Sequence, residues 1–286
     1  MVKHVLVIAD IEGNDTFALE KARDLNLPTG TRLEIIKFIH SADESQFTSA
    51  QQMEQARETL AGAVESVFDD TADIICKVVN SEHIADWVVE HCRQKPVDLV
   101  VKTRHRTESL FHTPTDWQLL RQLSCPVLIA SHIKWKPEAN ILLSLDLSTD
   151  EKDHQQLNRS VLEWGKLWAS ANEHQLHAAY SIPIAKPLLE LEVVDKHQVE
   201  EKKAPQAKEK MAALLSQFDI SELPVHISAG LPEKNIPHLA EELHCDLVIM
   251  GCIGRQGISG YIHGHTTEKV LHNLRADCLV VRLTQD

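Results

Sequence analysis

The residues best suited to chemistry lie between Asp246 and Leu271. A short apolar run, Leu247-Val-Ile-Met250, ends at Gly251, and five of the chain's ten glycines (Gly251, Gly254, Gly257, Gly260 and Gly264) fall within residues 251–264. Glycines let successive backbone N–H groups converge, and a helix opening behind them adds the partial positive charge of its N-terminus, so the pattern suits a phosphate. A plain glycine-rich turn is the competing reading. Arg255 on this loop is either a phosphate partner or a solvent-facing cation.

Other chemistry is less well supported. Among seventeen histidines, His263-x-His265 beside the loop offers two ligands where a zinc site needs four. His244 and His272 are expected on helix surfaces. Ser259 and Cys252 flank the loop, but nucleophilic hydrolysis needs a base and an orienting acid beside them, which sequence spacing does not supply. No catalytic and no metal-binding residue is assigned.

The elements that must position the loop alternate. Val5 to Asp10 is an apolar run that stops at a carboxylate, as a doubly buried strand does. Helical spacing then predicts a helix over 15–26, a strand over 32–40, a helix over 45–68, a strand over 74–79, a helix over 84–94, a strand over 98–102, a helix over 117–123 and a strand over 127–131. Beyond Trp135 the pattern restarts. Ile141-Leu-Leu-Ser-Leu-Asp146 repeats Val5 to Asp10, 157–171 repeats the first helix, 175–182 the second strand, and 225–228, 236–243, 246–249 and 277–281 complete the set. This reading divides the chain into 1–135 and 139–286, two tandem α/β domains. Each is expected to be a mostly parallel sheet with helices on both faces. The charged stretch 191–210 contains Pro205 and is expected to be an exposed loop entering a helix over 205–218.

Composition narrows the function classes. A chain of 286 residues can bury two ordinary cores. The formal net charge of −13 argues against wrapping nucleic acid, so no nucleic acid is expected. No run approaches the roughly 18 apolar residues of a membrane span, and the brief N-terminal apolar run is too short for a signal peptide, so a cytoplasmic protein is expected. Six cysteines without a C-x-x-C pair fit buried, reduced thiols.

The spacing Gly251-x2-Gly254-x9-Gly264 lies between an Asp-Leu-Val-Ile-Met strand and a Thr-Glu-Lys-Val-Leu helix, with a Cys-Leu-Val-Val strand beyond. In this it closely resembles the ATP-binding members of the universal stress protein family, and the two halves together resemble a tandem member over nearly the whole chain. The resemblance implies open, five-stranded parallel domains of the adenine-nucleotide α-hydrolase-like type, with ATP, alone or with Mg2+, at the carboxyl ends of the strands. It assigns Asp146 to the adenosine part and Gly251, Gly254 and Gly264 to the phosphates. The family places Ser or Thr after the last glycine. Here His265 stands there, with Thr266 and Thr267 behind it. An intramolecular pseudo-dimer is implied, and a homodimer is possible.

In the first half the same comparison sets Lys102 at the place of Gly251, His105 at that of Gly254 and Thr113 near that of Gly264. Non-glycine residues forced into a left-handed backbone would cost roughly 1–2 kcal/mol each, so this loop is expected to be degenerate. Lys102, Arg104, His105 and Arg106 are expected to form a solvated basic turn, with capture of an anion by these side chains as the competing reading, Thr115-Asp116 to cap the next helix, and Asp10 to be a relic of the repeat. The function expected is a nucleotide-responsive stress protein, with slow ATP hydrolysis as an open question. The alternative is a carrier or interaction module that holds an apolar or anionic ligand between the domains. A third option, an enzyme of the wider α-hydrolase-like group, would need a Ser-Gly-Gly-x-Asp loop after a first strand, and none is present.

Overall fold

The computed structural model of the protein describes residues 2–9, 16–25, 30–39, 49–69, 73–104, 115–171, 174–218, 220, 222–253 and 265–283. The chain forms two compact units, Met1–His132 and Ile133–Asp286. Both are α/β with parallel strands.

In the first unit, β1 (His4–Ile8), β2 (Arg32–Ile39), β3 (Asp73–Asn80), β4 (Leu99–Thr103) and β5 (Val127–Ala130) lie in the order β3-β2-β1-β4-β5. Every pair within the unit is parallel. The connecting helices are α1 (Phe17–Asp24), α2 (Ser49–Val67), α3 (Ile84–Gln94) and α4 (Thr115–Gln122). The strand order reverses at β1, so right-handed crossovers send α1 and α2 to one face and α3 and α4 to the other. That is why Val5 to Ile8 and Leu99 to Val101 are fully buried and read as continuous apolar runs.

The second unit repeats the plan with β6 (Asn140–Ser144), α5 (Lys152–Ala171), β7 (Gln175–Pro183), α6 (Lys186–Glu190), α7 (Lys196–Ser216), β8 (Val225–Gly230), α8 (Pro232–Glu242), β9 (Cys245–Cys252), α9 (His265–Asn273) and β10 (Asp277–Arg282). Its order is β10-β9-β6-β7-β8. The buried Trp168 meets Trp135 edge-on at 6.2 Å, and the Trp135 indole N–H donates to Asp277 Oδ2 at 2.7 Å.

Several expectations change here. The charged stretch before Pro205 is helical from Lys196 onward, with Pro205 inside α7. Asp195 caps that helix by accepting from His197 N at 2.8 Å, and Ala207, Met211 and Leu215 bury one stripe of it. That anchoring outweighs the roughly 3 kcal/mol cost of an internal proline. Glu200 of the same helix accepts the backbone N–H of Ala229 at 3.0 Å, on the side of β8 away from β7. His244 is not on α8 but follows its C-cap, Leu243, in the left-handed region at φ 50°. All six thiols are free, yet Cys76 is exposed on β3 and only Cys252 and Cys278 are buried. β3 lies at the end of the strand order, so its side chains meet fewer neighbours.

Register also moves one residue correspondence. Val5 pairs with Leu99 and Ile8 with Lys102, whereas Ile141 pairs with Leu247 and Ser144 with Met250. Lys102 is therefore the counterpart of Met250, and Thr103, not Lys102, stands where Gly251 does. Counting from Asp98 and Asp246 gives the same offset, so setting Lys102 at the place of Gly251 is a miscount by one residue.

Candidate functional site

A cavity of about 310 Å3 opens at the carboxyl ends of the second unit's strands, bounded by the residues after β6, the end of β9 and the start of α9. This is where open parallel sheets present their loops. Its apolar wall comes from Leu157, Pro183, Ile236, Met250 and Val270.

Asp146 lies two residues beyond β6. Leu145 continues the ladder by donating its N–H to Ala179 O at 2.9 Å. The buried Asn158 of α5 then clamps the Asp146 main chain from both sides: Oδ1 accepts from Asp146 N at 2.9 Å, and Nδ2 donates to Asp146 O at 2.7 Å. The carboxylate is held by two further contacts. Its Oδ1 accepts from Ser148 N at 2.9 Å, and its Oδ2 lies 3.0 Å from His154 Nδ1. A carboxylate only accepts, so the proton on that imidazole edge belongs to Nδ1. Burial, with the Asp146 charge adding to it, pushes the Tyr180 hydroxyl on the cavity wall up to about 12.

Gly251 is extended at the end of β9, and the reason for its lack of a side chain is packing. A Cβ there would come within 2.4 Å of Leu157 Cγ and Cδ2. Behind it, α9 begins at His265. Thr266 is exposed and lines the cavity, whereas the Thr267 hydroxyl turns inward and donates to Gly251 O at 3.5 Å. The structure thus brings Asp146, Gly251, Thr266 and Thr267 to one cavity. Gly254, Arg255, Gly264 and Ser259 lie outside the described residues, as do Asp10, His105, Arg106, His263 and Thr113.

Sequence reasoning missed His154, Asn158, Leu157 and Tyr180. The first three sit within the first two turns of α5, and only folding sets that helix against Asp146 and Gly251. Sequence also shows no evident base, yet His154 and Asp146 make an imidazole oriented by a carboxylate. Among the described lining residues, His154 is the one side chain able to carry positive charge. No group of three or more His, Cys, Asp or Glu able to hold a metal is present among the described residues.

The first unit differs at the corresponding place. Lys102 is not a solvated cation: its side chain is 1% exposed, its Nζ donates to Thr103 O at 2.8 Å, and it pairs with Asp116 Oδ1 at 3.1 Å. Asp116 is on the first turn of α4 and spends its carboxylate on Lys102.

A second polar cluster in that unit lies on the face covered by α3. The buried Glu34 carboxylate meets Lys77 Nζ, His4 Nε2 at 3.1 Å and His91 Nε2 at 3.1 Å, and the His91 ring stacks on Trp87 at 4.8 Å. A hydrogen bond with Cys125, and then burial, push the neighbouring Cys92 thiol up, which disfavours its thiolate.

The model for the universal stress protein family matches residues 1–131 and 151–282. The chain is 29% identical over 301 residues to universal stress protein E of Escherichia coli K12, covering all of this chain and 95% of that protein. It is 28% identical over 300 residues to the Haemophilus influenzae homologue of the same protein, covering 98% and 97%. Among solved structures, a functionally unknown protein from Pseudomonas aeruginosa PAO1 superposes with a TM-score of 0.73 at 20% identity, over 99% of this chain and 93% of the other. A universal stress protein from Archaeoglobus fulgidus gives 0.65 at 16% identity, over 98% of both chains.

Proposed function

The chain belongs to the universal stress protein family, and from that footing we propose that its second unit binds ATP or a related adenine nucleotide in the cavity between Asp146 and Gly251. The observation that supports this most is the placement of a fixed carboxylate and a glycine strand end on one cavity, with α9 opening directly behind. Asp146 offers hydrogen-bond acceptors to the nucleoside, the apolar wall accommodates a flat base, and Thr266 lies at the helix entrance where phosphates gain from backbone N–H groups. Any Mg2+ arrives with the phosphates rather than in a protein cage.

In the same reading the first unit takes no nucleotide. The Lys102–Asp116 pair supports this, since a long buried cation replaces Met250 of the cavity wall and Thr103 replaces Gly251. The protein then acts as a cytoplasmic nucleotide-responsive regulator rather than a fast enzyme.

Titration calorimetry with ATP tests the proposal. Asp146→Ala is expected to weaken binding at least about tenfold, equal to about 1.4 kcal/mol. Gly254→Leu is expected to abolish binding while the thermal melt barely moves. Wild-type affinity in both variants overturns the reading.

A further inference from the structure

We propose that His154 is a positioning residue that acts on the ligand through Asp146, and that binding of an anionic nucleotide in this cavity is coupled to proton uptake by His154; this rests on the nucleotide reading above. The geometry is a built dyad. His154 is the third residue of α5, its side chain is 15% exposed, and its Nδ1 stands 3.0 Å from Asp146 Oδ2. Ser148 N holds the other carboxylate oxygen at 2.9 Å, so the carboxylate plane is fixed from two sides while its side chain stays 49% exposed toward a ligand.

With Nδ1–H committed to Asp146, the imidazole has Nε2 left. Neutral, Nε2 accepts a hydrogen bond. Protonated, it donates one and adds a full charge to a cavity whose described wall holds no lysine or arginine. Phosphate charge brought near that wall stabilises the protonated form, so anionic ligand and proton bind together.

Asp146 is the charged group that faces the ring, and Asp150, Glu151, Lys152 and Asp153 are the charged residues on the turn before it and at the start of α5. Asp150 is already paired with Lys210 of α7 at 2.9 Å. Tyr180 of β7 and Cys252 of β9 line the same cavity, and α9 contributes the uncharged Thr266 and Thr267 there.

The test is calorimetry with ATP from about pH 5.5 to about pH 8, where histidine charge changes, in two buffers of different ionisation enthalpy. Wild type is expected to take up a fraction of a proton and to gain about tenfold in affinity on acidification beyond what His154→Asn shows. His154→Asn keeps an amide donor at the place of Nδ1 without titrating, so it is expected to lose the extra slope whatever its affinity at pH 8. ATP's own titration is common to both proteins and cancels. His154→Ala, which lacks the donor, is expected to bind more weakly at every pH.

Equal slopes in wild type and His154→Asn overturn the inference and leave the nucleotide reading standing. No ATP binding by wild type removes both.

Discussion

Glu34 and His177 occupy the same register position in the two units. Glu34 pairs with Leu6 of β1, and His177 pairs with Leu142, the equivalent residue of β6. Their cross-strand partners correspond as well: Lys77 is opposite Ile36, and His226 is opposite Ala179. An ion pair in one unit is thus replaced by a histidine pair in the other, with His177 Nδ1 3.2 Å from His226 Nε2. One fold position carries two different responses to acid.

The histidine pair is expected to make the second unit acid-sensitive. Burial, and then the charge of His226, push the His177 imidazole below its ordinary value. A base whose pKa is depressed on folding binds fewer protons folded than unfolded, so its contribution is present above about pH 6.5 and is lost as pH falls below it. His177→Gln is expected to shrink the loss of melting temperature between pH 7.5 and pH 5.5. The check is a pair of calorimetric melts on each protein, and an unchanged difference refutes the assignment.

Glu34 behaves in the opposite pH range. Burial pushes its carboxyl upward, but hydrogen bonds from Lys77 and His91, together with their charges, outweigh it and hold the group at about 2. A carboxyl depressed on folding contributes stability above its unfolded value of about 4.3, and that contribution is lost as pH falls toward 2. Glu34→Gln is expected to cost about 2–3 kcal/mol in urea unfolding at pH 7, because it also leaves Lys77 and His91 without their partner. By about pH 3 the difference from wild type is expected to narrow to less than half.

Gly251→Ala separates packing from ligand binding. Its Cβ would overlap Leu157, so a cost of about 1–3 kcal/mol is expected from overpacking alone. Shortening the neighbour in Leu157→Ala leaves room for that methyl. The two changes are therefore expected to be non-additive, with the double variant more stable than the sum of the single costs predicts. Strict additivity in unfolding measurements would show that another contact demands the glycine.

The strands were legible in the sequence because helices on both faces force them to be continuous apolar runs, as Val5 to Ile8 and Leu247 to Met250 show. The repeat was legible for the same reason. Asp146 and Gly251 stood out because a polar residue or a glycine at the end of such a run is conspicuous. His154, Asn158 and Leu157 did not, because their importance lies in the approach of α5 to two strand ends, which no local spacing records. The helical stretch before Pro205 was missed because its support comes from a cap at Asp195 and from burial of Ala207 and Met211, whereas its own composition reads as a solvated loop.

The contact from Glu200 to the Ala229 N–H bears on how copies of this chain coexist when crowded. β8 ends the strand order of its unit, and a free row of outward N–H groups would recruit strands from other molecules. A helix carboxylate seated on one of those groups breaks the row and sets a negative charge along it, which disfavours the sheet-to-sheet addition that begins aggregation.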